Sequence, residues 1–218
     1  MDHYTPPPDN GLDLLYRDTR LMAINKPSGL LSVPGRGEHK QDSLSYRVQQ
    51  LYPDALVVHR LDMATSGIML MARDKDSQIR LGQLFEQRKI SKTYIALVNG
   101  RLDSSEGRID LPLVCDWPNR PRQMVSFELG KAAYTDYRVL AYDEENDCSR
   151  VQLSPLTGRS HQLRVHMQAL GHPILGDELY AENTIRTRAR RLLLHAEKLE
   201  FLHPYQDSIV QLSCPSPF

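Results

Sequence analysis

From residue 12 onward the chain is a succession of short apolar runs cut by polar turns, and that pattern leaves few folds open. Residues 12–16 and 21–25 are separated by a polar turn, which predicts a hairpin. Residues 56–59 and 67–72 read as buried strands, and residues 92–98 and 135–142 are rich in strand-forming side chains. The acidic turn at residues 143–147 leads back into residues 149–153, a second hairpin, and residues 192–199 and 208–213 close the chain. Three segments carry helical signals. Asp42 is a candidate cap for a helix with Leu44, Val48 and Leu51 on one face, and Asp74 for one with Leu81, Leu84 and Phe85. In residues 160–170, Leu163, His166, Met167 and Leu170 recur at helical spacing, and Gly171 stands where a helix-ending glycine belongs. Strands in runs with scattered helices predict an α+β fold, a mixed, largely antiparallel sheet flanked by helices and loops.

The chain has 218 residues, enough for a real core, and no Gly/Ser-rich linker divides it. One compact catalytic domain over residues 12–218 is the simplest expectation. Residues 1–11, polar and with three successive prolines, read as a disordered tail. Lys+Arg and Asp+Glu are both 27, which argues against coating nucleic acid by bulk charge but leaves a local basic groove open. Cys115, Cys148 and Cys214 are far apart and form no Cys-x-x-Cys, so a disulfide scaffold is excluded and a reducing, cytoplasmic setting fits. The N-terminus lacks the apolar core of a signal peptide, and the apolar run at residues 68–72 is far too short to span a bilayer, so no membrane partner is expected.

Chemistry concentrates in three places. His59-Arg60-Leu61-Asp62-Met63-Ala64-Thr65-Ser66-Gly67 sits between two predicted strands and packs a base, a guanidinium, a carboxylate and two hydroxyls into nine positions. Loops on a rigid sheet favour catalytic groups, and a carboxylate kept ionised by neighbouring cations can act as nucleophile or base. The same residue types also make an ordinary turn. Gly158-Arg159-Ser160-His161-Gln162-Leu163-Arg164-Val165-His166 opens the third predicted helix, where cationic and amide donors suit an anion or a carboxylate such as Asp62, or form a solvated face. Residues 25–36, with two prolines and two glycines, form a rigid loop that lines a pocket or turns a corner.

Metal readings fail. His195-Ala196-Glu197 lacks the Pro-Cys-x-x-Cys partner of a zinc deaminase, and His161, His166 and His172 are not spaced to share one helix face. Basic clusters occur at Arg186, Arg188, Arg190 and Arg191, and at Arg88, Lys89 and Lys92. Arg120, Arg122 and Lys131 flank Trp117, and positive charge interleaved with an aromatic suits RNA.

Taken together and in order, these segments resemble the RluA family of pseudouridine synthases. Asn25-Lys26-Pro27-Ser28-Gly29, the His59–Gly67 and Gly158–His166 segments, Gly171-His172-Pro173-Ile174-Leu175-Gly176-Asp177 and Leu193-Leu194-His195-Ala196 carry the resemblance over nearly the whole chain. It implies an isomerase that converts uridine to pseudouridine in structured RNA, with 23S ribosomal RNA and the transfer RNA anticodon stem-loop as substrates. It also implies the family's catalytic fold, no cofactor, no metal, no obligate protein partner and a monomer. With the first motif at residue 25, no additional S4 domain is expected. Residue by residue, the resemblance implies Asp62 as nucleophile, Tyr94 as the ring stacked on the uracil and the base for its C5 proton, and Arg164 as the cation paired with Asp62. It gives Leu163 as a wall of the uracil pocket and Arg60 as the filler of the flipped base's place, with His59, Arg159 and Lys26 as further substrate contacts. The alternatives are an inactive RNA-binding or ribosome-assembly protein of the same fold, and an N-glycoside hydrolase, for which the motifs offer no second acid.

Overall fold

The structure of the protein, a computed structural model, describes residues 4–218. In chain order its first half contains β1 (Leu14–Arg17), β2 (Leu21–Lys26), α1 (Leu44–Leu51), β3 (Leu56–Val57), β4 (Ser66–Ala72), α2 (Lys75–Glu86) and β5 (Ser91–Asn99). There follow β6 (Glu106–Asp110), β7 (Leu113–Cys115), β8 (Gln123–Val125), β9 (Tyr134–Asp143), β10 (Cys148–Pro155), α3 (Gln162–Ala169), α4 (Asn183–Arg186), β11 (Leu194–Leu202) and β12 (Ile209–Ser213). This is the α+β class expected. The chain forms two compact units, residues up to 91 with 196–217, and residues 92–195 with 218. The divisions fall inside β5 and β11, so no linker composition marks them. No helix among the described residues is long and apolar enough to cross a membrane.

In the first unit the strand order is β1-β2-β4-β11, with β12 on β11 and β3 on β4. β2 and β4 pair antiparallel from Leu21↔Ala72 to Lys26↔Gly67. Every residue of β4 is buried, which is why its sequence reads as an unbroken apolar run. Alternation divides it: Ile68, Leu70 and Ala72 join Leu21, Ala23, Leu81 and Phe201 in one core cluster, while Met69 and Met71 point to the opposite, equally buried face. Gly67 is required at the strand's entry, since a Cβ there would stand 2.3 Å from the Ala196 carbonyl oxygen.

In the second unit the order is β5-β10-β9-β6, and β7-β8 form a separate two-stranded hairpin. The acidic turn joins β9 to β10 as predicted, with Cys148↔Asp143 at its base. β6, β7 and β8 were not legible as strands. β6 is Glu-Gly-Arg-Ile-Asp, with Ile109 alone buried, and it is held by its ladder to β9.

The helices differ from expectation at their ends. Ser43, not Asp42, caps α1, accepting the Tyr46 N–H, because Asp42 instead receives the Arg47 guanidinium at 2.8 and 2.7 Å. Leu51 is 65% exposed, so the apolar face of α1 stops at Val48. Asp74 caps α2 as predicted, through the Ser77 N–H. α3 starts at Gln162, with His161 left-handed before it, and ends at Ala169 with Leu170 as its cap, followed by Gly171, whose φ is 89°. Of the tail reading, residues 1–3 lie outside the described residues. Beyond them, Tyr4 donates to the Asp42 carbonyl and accepts from Leu31 N, and Arg47 donates to the carbonyls of Pro7 and Pro8.

Candidate active site

Each unit carries one group of the candidate residues. In the first, Asp62 stands on a turn closed by the Thr65 N–H on the Asp62 carbonyl at 3.1 Å. The loop after β2 laces this turn down on both sides. Ser32 Oγ donates to the Leu61 carbonyl at 2.6 Å and accepts the Leu61 N–H at 3.0 Å. Ser28 Oγ donates to the Ala64 carbonyl at 2.6 Å, and the Gly29 N–H to the Met63 carbonyl at 2.9 Å. Lys26 is 0% exposed, and its Nζ donates to the carbonyls of Pro27, Leu30 and Met63 at 2.9, 2.7 and 3.0 Å. An ammonium so buried faces no substrate. Lys26, expected as a substrate contact, instead fastens the two loops together. The Pro- and Gly-rich segment at residues 25–36 is thereby explained: it is the clamp of the Asp62 turn.

His59 also holds structure. Its Nε2 accepts the Leu70 N–H at 2.8 Å and its ring stacks on Phe85 with centroids 4.4 Å apart. That ring fixes the entry of the loop beside β4. Asp62 itself is half-buried, and Arg60 is exposed.

In the second unit Tyr94 lies on β5 opposite Leu153 of β10, half-buried. Lys92, two residues earlier, donates to the Thr157 carbonyl. Leu163 and Arg164 occupy the first turn of α3, both buried. Arg164 Nε and Nη2 donate to the two carboxylate oxygens of Asp177 at 2.8 and 2.6 Å, a bidentate pair out of contact with solvent. Asp177 Oδ1 also accepts the N–H groups of Leu179 and Tyr180. Gly176 makes this placement possible: its φ is 74°, and a Cβ would stand 1.9 Å from the Arg191 carbonyl oxygen. Arg159 is exposed and donates to the Ala132 carbonyl at 3.2 Å.

Two residues here, Asp177 and Tyr180, were given no role from sequence, and Gln162 was read only as an amide donor near the helix start. Asp177 is the fork partner of Arg164, and only its place after a turn glycine hinted at a special position. Gln162, buried, uses both ends of its amide. Oε1 accepts from Thr157 Oγ1 and the Arg159 N–H, and Nε2 donates to the Tyr134 carbonyl and Thr135 Oγ1. It pins the loop before α3 to the start of β9. Tyr180 bonds His161 and the Gln123 N–H. His166 is buried between Thr135 Oγ1 and the Leu111 carbonyl, and burial lowers its pKa below the ordinary 6.5. Among the described residues no group of three or more His, Cys, Asp or Glu is placed to hold a metal ion.

Residues 20–169 match the family model described as RNA pseudouridylate synthase. Over its full length the chain is 52% identical to dual-specificity RNA pseudouridine synthase RluA of Escherichia coli strain K12, covering 99% of that protein. It is 52% identical over 205 residues to the RluA protein of Yersinia pestis, covering 94% of this chain and 99% of that one. The solved structure of human RNA pseudouridylate synthase domain containing 1 superposes with a TM-score of 0.80 and 31% identity, covering 98% of this chain and 87% of that one. Human domain containing 4 gives 0.73 and 27%, covering 94% and 88%. Fold and family match together define an RNA pseudouridine synthase, an isomerase of uridine. Within that class the chain belongs to the RluA family.

Proposed function

We propose that this chain isomerises uridines in both 23S ribosomal RNA and the anticodon stem-loop of transfer RNA, acting in the cytoplasm as a monomer with no obligate protein partner. The dual specificity named for its bacterial relatives supports the pair of substrates. The observation that carries the mechanism is the laced turn, which fixes the backbone on either side of Asp62 and leaves its side chain half-buried.

The reaction breaks the N1–C1′ bond, turns the base and joins C5 to C1′. The C5 proton leaves and N1 gains one, so atoms and electrons balance with no redox partner and no cofactor. Asp62 is the nucleophile and Arg164 its assigned cation. Tyr94 stacks on the uracil, which returns about 1–3 kcal/mol against the cost of flipping it out, and takes the C5 proton. Leu163 walls the pocket, keeping water from the detached base. Arg60, exposed on the Asp62 loop, fills the gap left in the RNA, and Arg159 meets its backbone. The β7-β8 hairpin adds a contact: Trp117 is 66% exposed, with the Arg120 guanidinium 4.4 Å from its ring centroid. Lys26, fully buried, acts on the loop and not on the RNA.

The test is pseudouridine mapping in total RNA from cells that lack this protein. The reading expects uridine in place of pseudouridine at sites in both 23S and transfer RNA, restored by the wild-type gene and not by Asp62→Ala. Unchanged maps in both RNAs overturn it, and restoration by Asp62→Ala would favour the inactive assembly protein.

A further inference from the structure

Tyr180 stands where the β7-β8 hairpin meets the start of α3. It is 4% exposed and belongs to a small cluster with Leu113, Ala133 and Val165, flanked by Val125 and Leu179. Its hydroxyl accepts the N–H of Gln123, the first residue of β8, at 2.8 Å. A phenol has one proton to give, and His161 Nδ1 lies 2.7 Å away on the other side. The hydroxyl therefore links the hairpin backbone to the residue that starts α3. The ring repeats the connection in a second way. The Arg122 guanidinium, from the hairpin, lies 5.5 Å from its centroid, and the Arg164 guanidinium, from α3, lies 5.1 Å away. The backbone is fixed too, since Asp177 Oδ1 accepts the Tyr180 N–H while the same carboxylate grips Arg164.

We propose that Tyr180 is a positioning residue that sets the register of the β7-β8 hairpin on the Arg164 helix, so that RNA gripped by the hairpin is delivered in line with Leu163 and Arg164. This rests on the reading that the chain modifies RNA through its hairpin. It follows that the hydroxyl acts on the capture of RNA, while the pair of Arg164 with Asp177, which needs only the backbone of Tyr180, keeps the chemical groups in place.

Tyr180→Phe keeps the ring, its packing and its contacts with both guanidiniums, and removes the two hydrogen bonds. The experiment is steady-state pseudouridine formation on an anticodon stem-loop transcript by the wild type, Tyr180→Phe, Trp117→Ala and the double variant. The expected result is a KM raised about tenfold in Tyr180→Phe, with kcat held within about twofold. The double variant should raise KM by less than the product of the single effects, because both act through the hairpin. A merely structural role would lower the active fraction and so kcat, leaving KM unchanged. An unchanged KM, a fall confined to kcat, or fully multiplicative effects of the two substitutions would each overturn the proposal. Absence of pseudouridine with the wild type would instead sink the functional reading itself.

Discussion

The turn that carries Asp62 and the helix start that carries Arg164 are held by different kinds of contact. Around Asp62 the bonds that fix the turn run from neutral serine hydroxyls, a backbone N–H and one buried ammonium to backbone carbonyls. Around Arg164 the reactive side chain is itself the anchored group, forked on a fully buried carboxylate that two N–H groups also satisfy. The difference teaches two ways of fixing a site. At the turn the protein fixes the backbone on either side of the residue, and at the helix start it immobilises the side chain itself, at the cost of a buried ion pair.

That contrast predicts unequal responses to substitution. Asp177→Ala leaves the buried Arg164 guanidinium without its carboxylate and should destabilise the protein by about 3–5 kcal/mol, read from urea unfolding. The double variant Arg164→Met with Asp177→Leu should regain most of that stability and none of the activity, which separates the fold's need for the pair from the reaction's need for the cation. A single-variant loss under about 1 kcal/mol would mean that the fork is not what holds Arg164. Ser32→Ala should cost less, about 1–3 kcal/mol for the unpaired Leu61 groups, but should lower the reaction rate by more than its stability effect explains. If rate and stability fall together through loss of folded protein alone, the lacing is only structural.

The pH response sharpens the same comparison. His166 is neutral in the folded protein, its Nδ1 facing Thr135 Oγ1, which already accepts from Gln162 Nε2. Burial holds its folded pKa below the ordinary 6.5, so the unfolded chain takes up the proton first. Stability from this group is complete above that value and is lost as pH falls from it toward the folded value. His166→Gln should flatten the slope of unfolding free energy over that interval, and an unchanged slope would show that another group carries it. The smallest effect expected is that of Trp117→Ala, a loss of about 1–3 kcal/mol in RNA binding with no change in stability, measured by titration of a labelled stem-loop.

How legible these regions were follows from the nature of their bonds. The Asp62 loop was visible because unusual side chains crowd into nine positions between two apolar runs, the second of which is β4. The clamp was visible only as a stiff segment, since serines and a lysine bonded to carbonyls look like any polar turn. On the other side, periodicity located α3, but its pattern left Arg164 open between an anion's partner and a solvated face, and only the resemblance gave it a role. Its burial depends on Asp177, thirteen residues away across a turn, which no local pattern encodes. β6, β7 and β8 escaped for the same reason: their strand character comes from ladder partners and not from their own side chains.

The central claim is that the carboxylate of Asp62, and not the clamp that presents it, performs the reaction. Tritium release from transcripts labelled at uracil C5 tests this most directly, with wild type and Asp62→Ala compared at equal folded concentration. The account predicts release by the wild type and background release by Asp62→Ala, with the thermal midpoint of the variant unchanged to within about 2 °C. Release by Asp62→Ala at a rate near that of the wild type would contradict it.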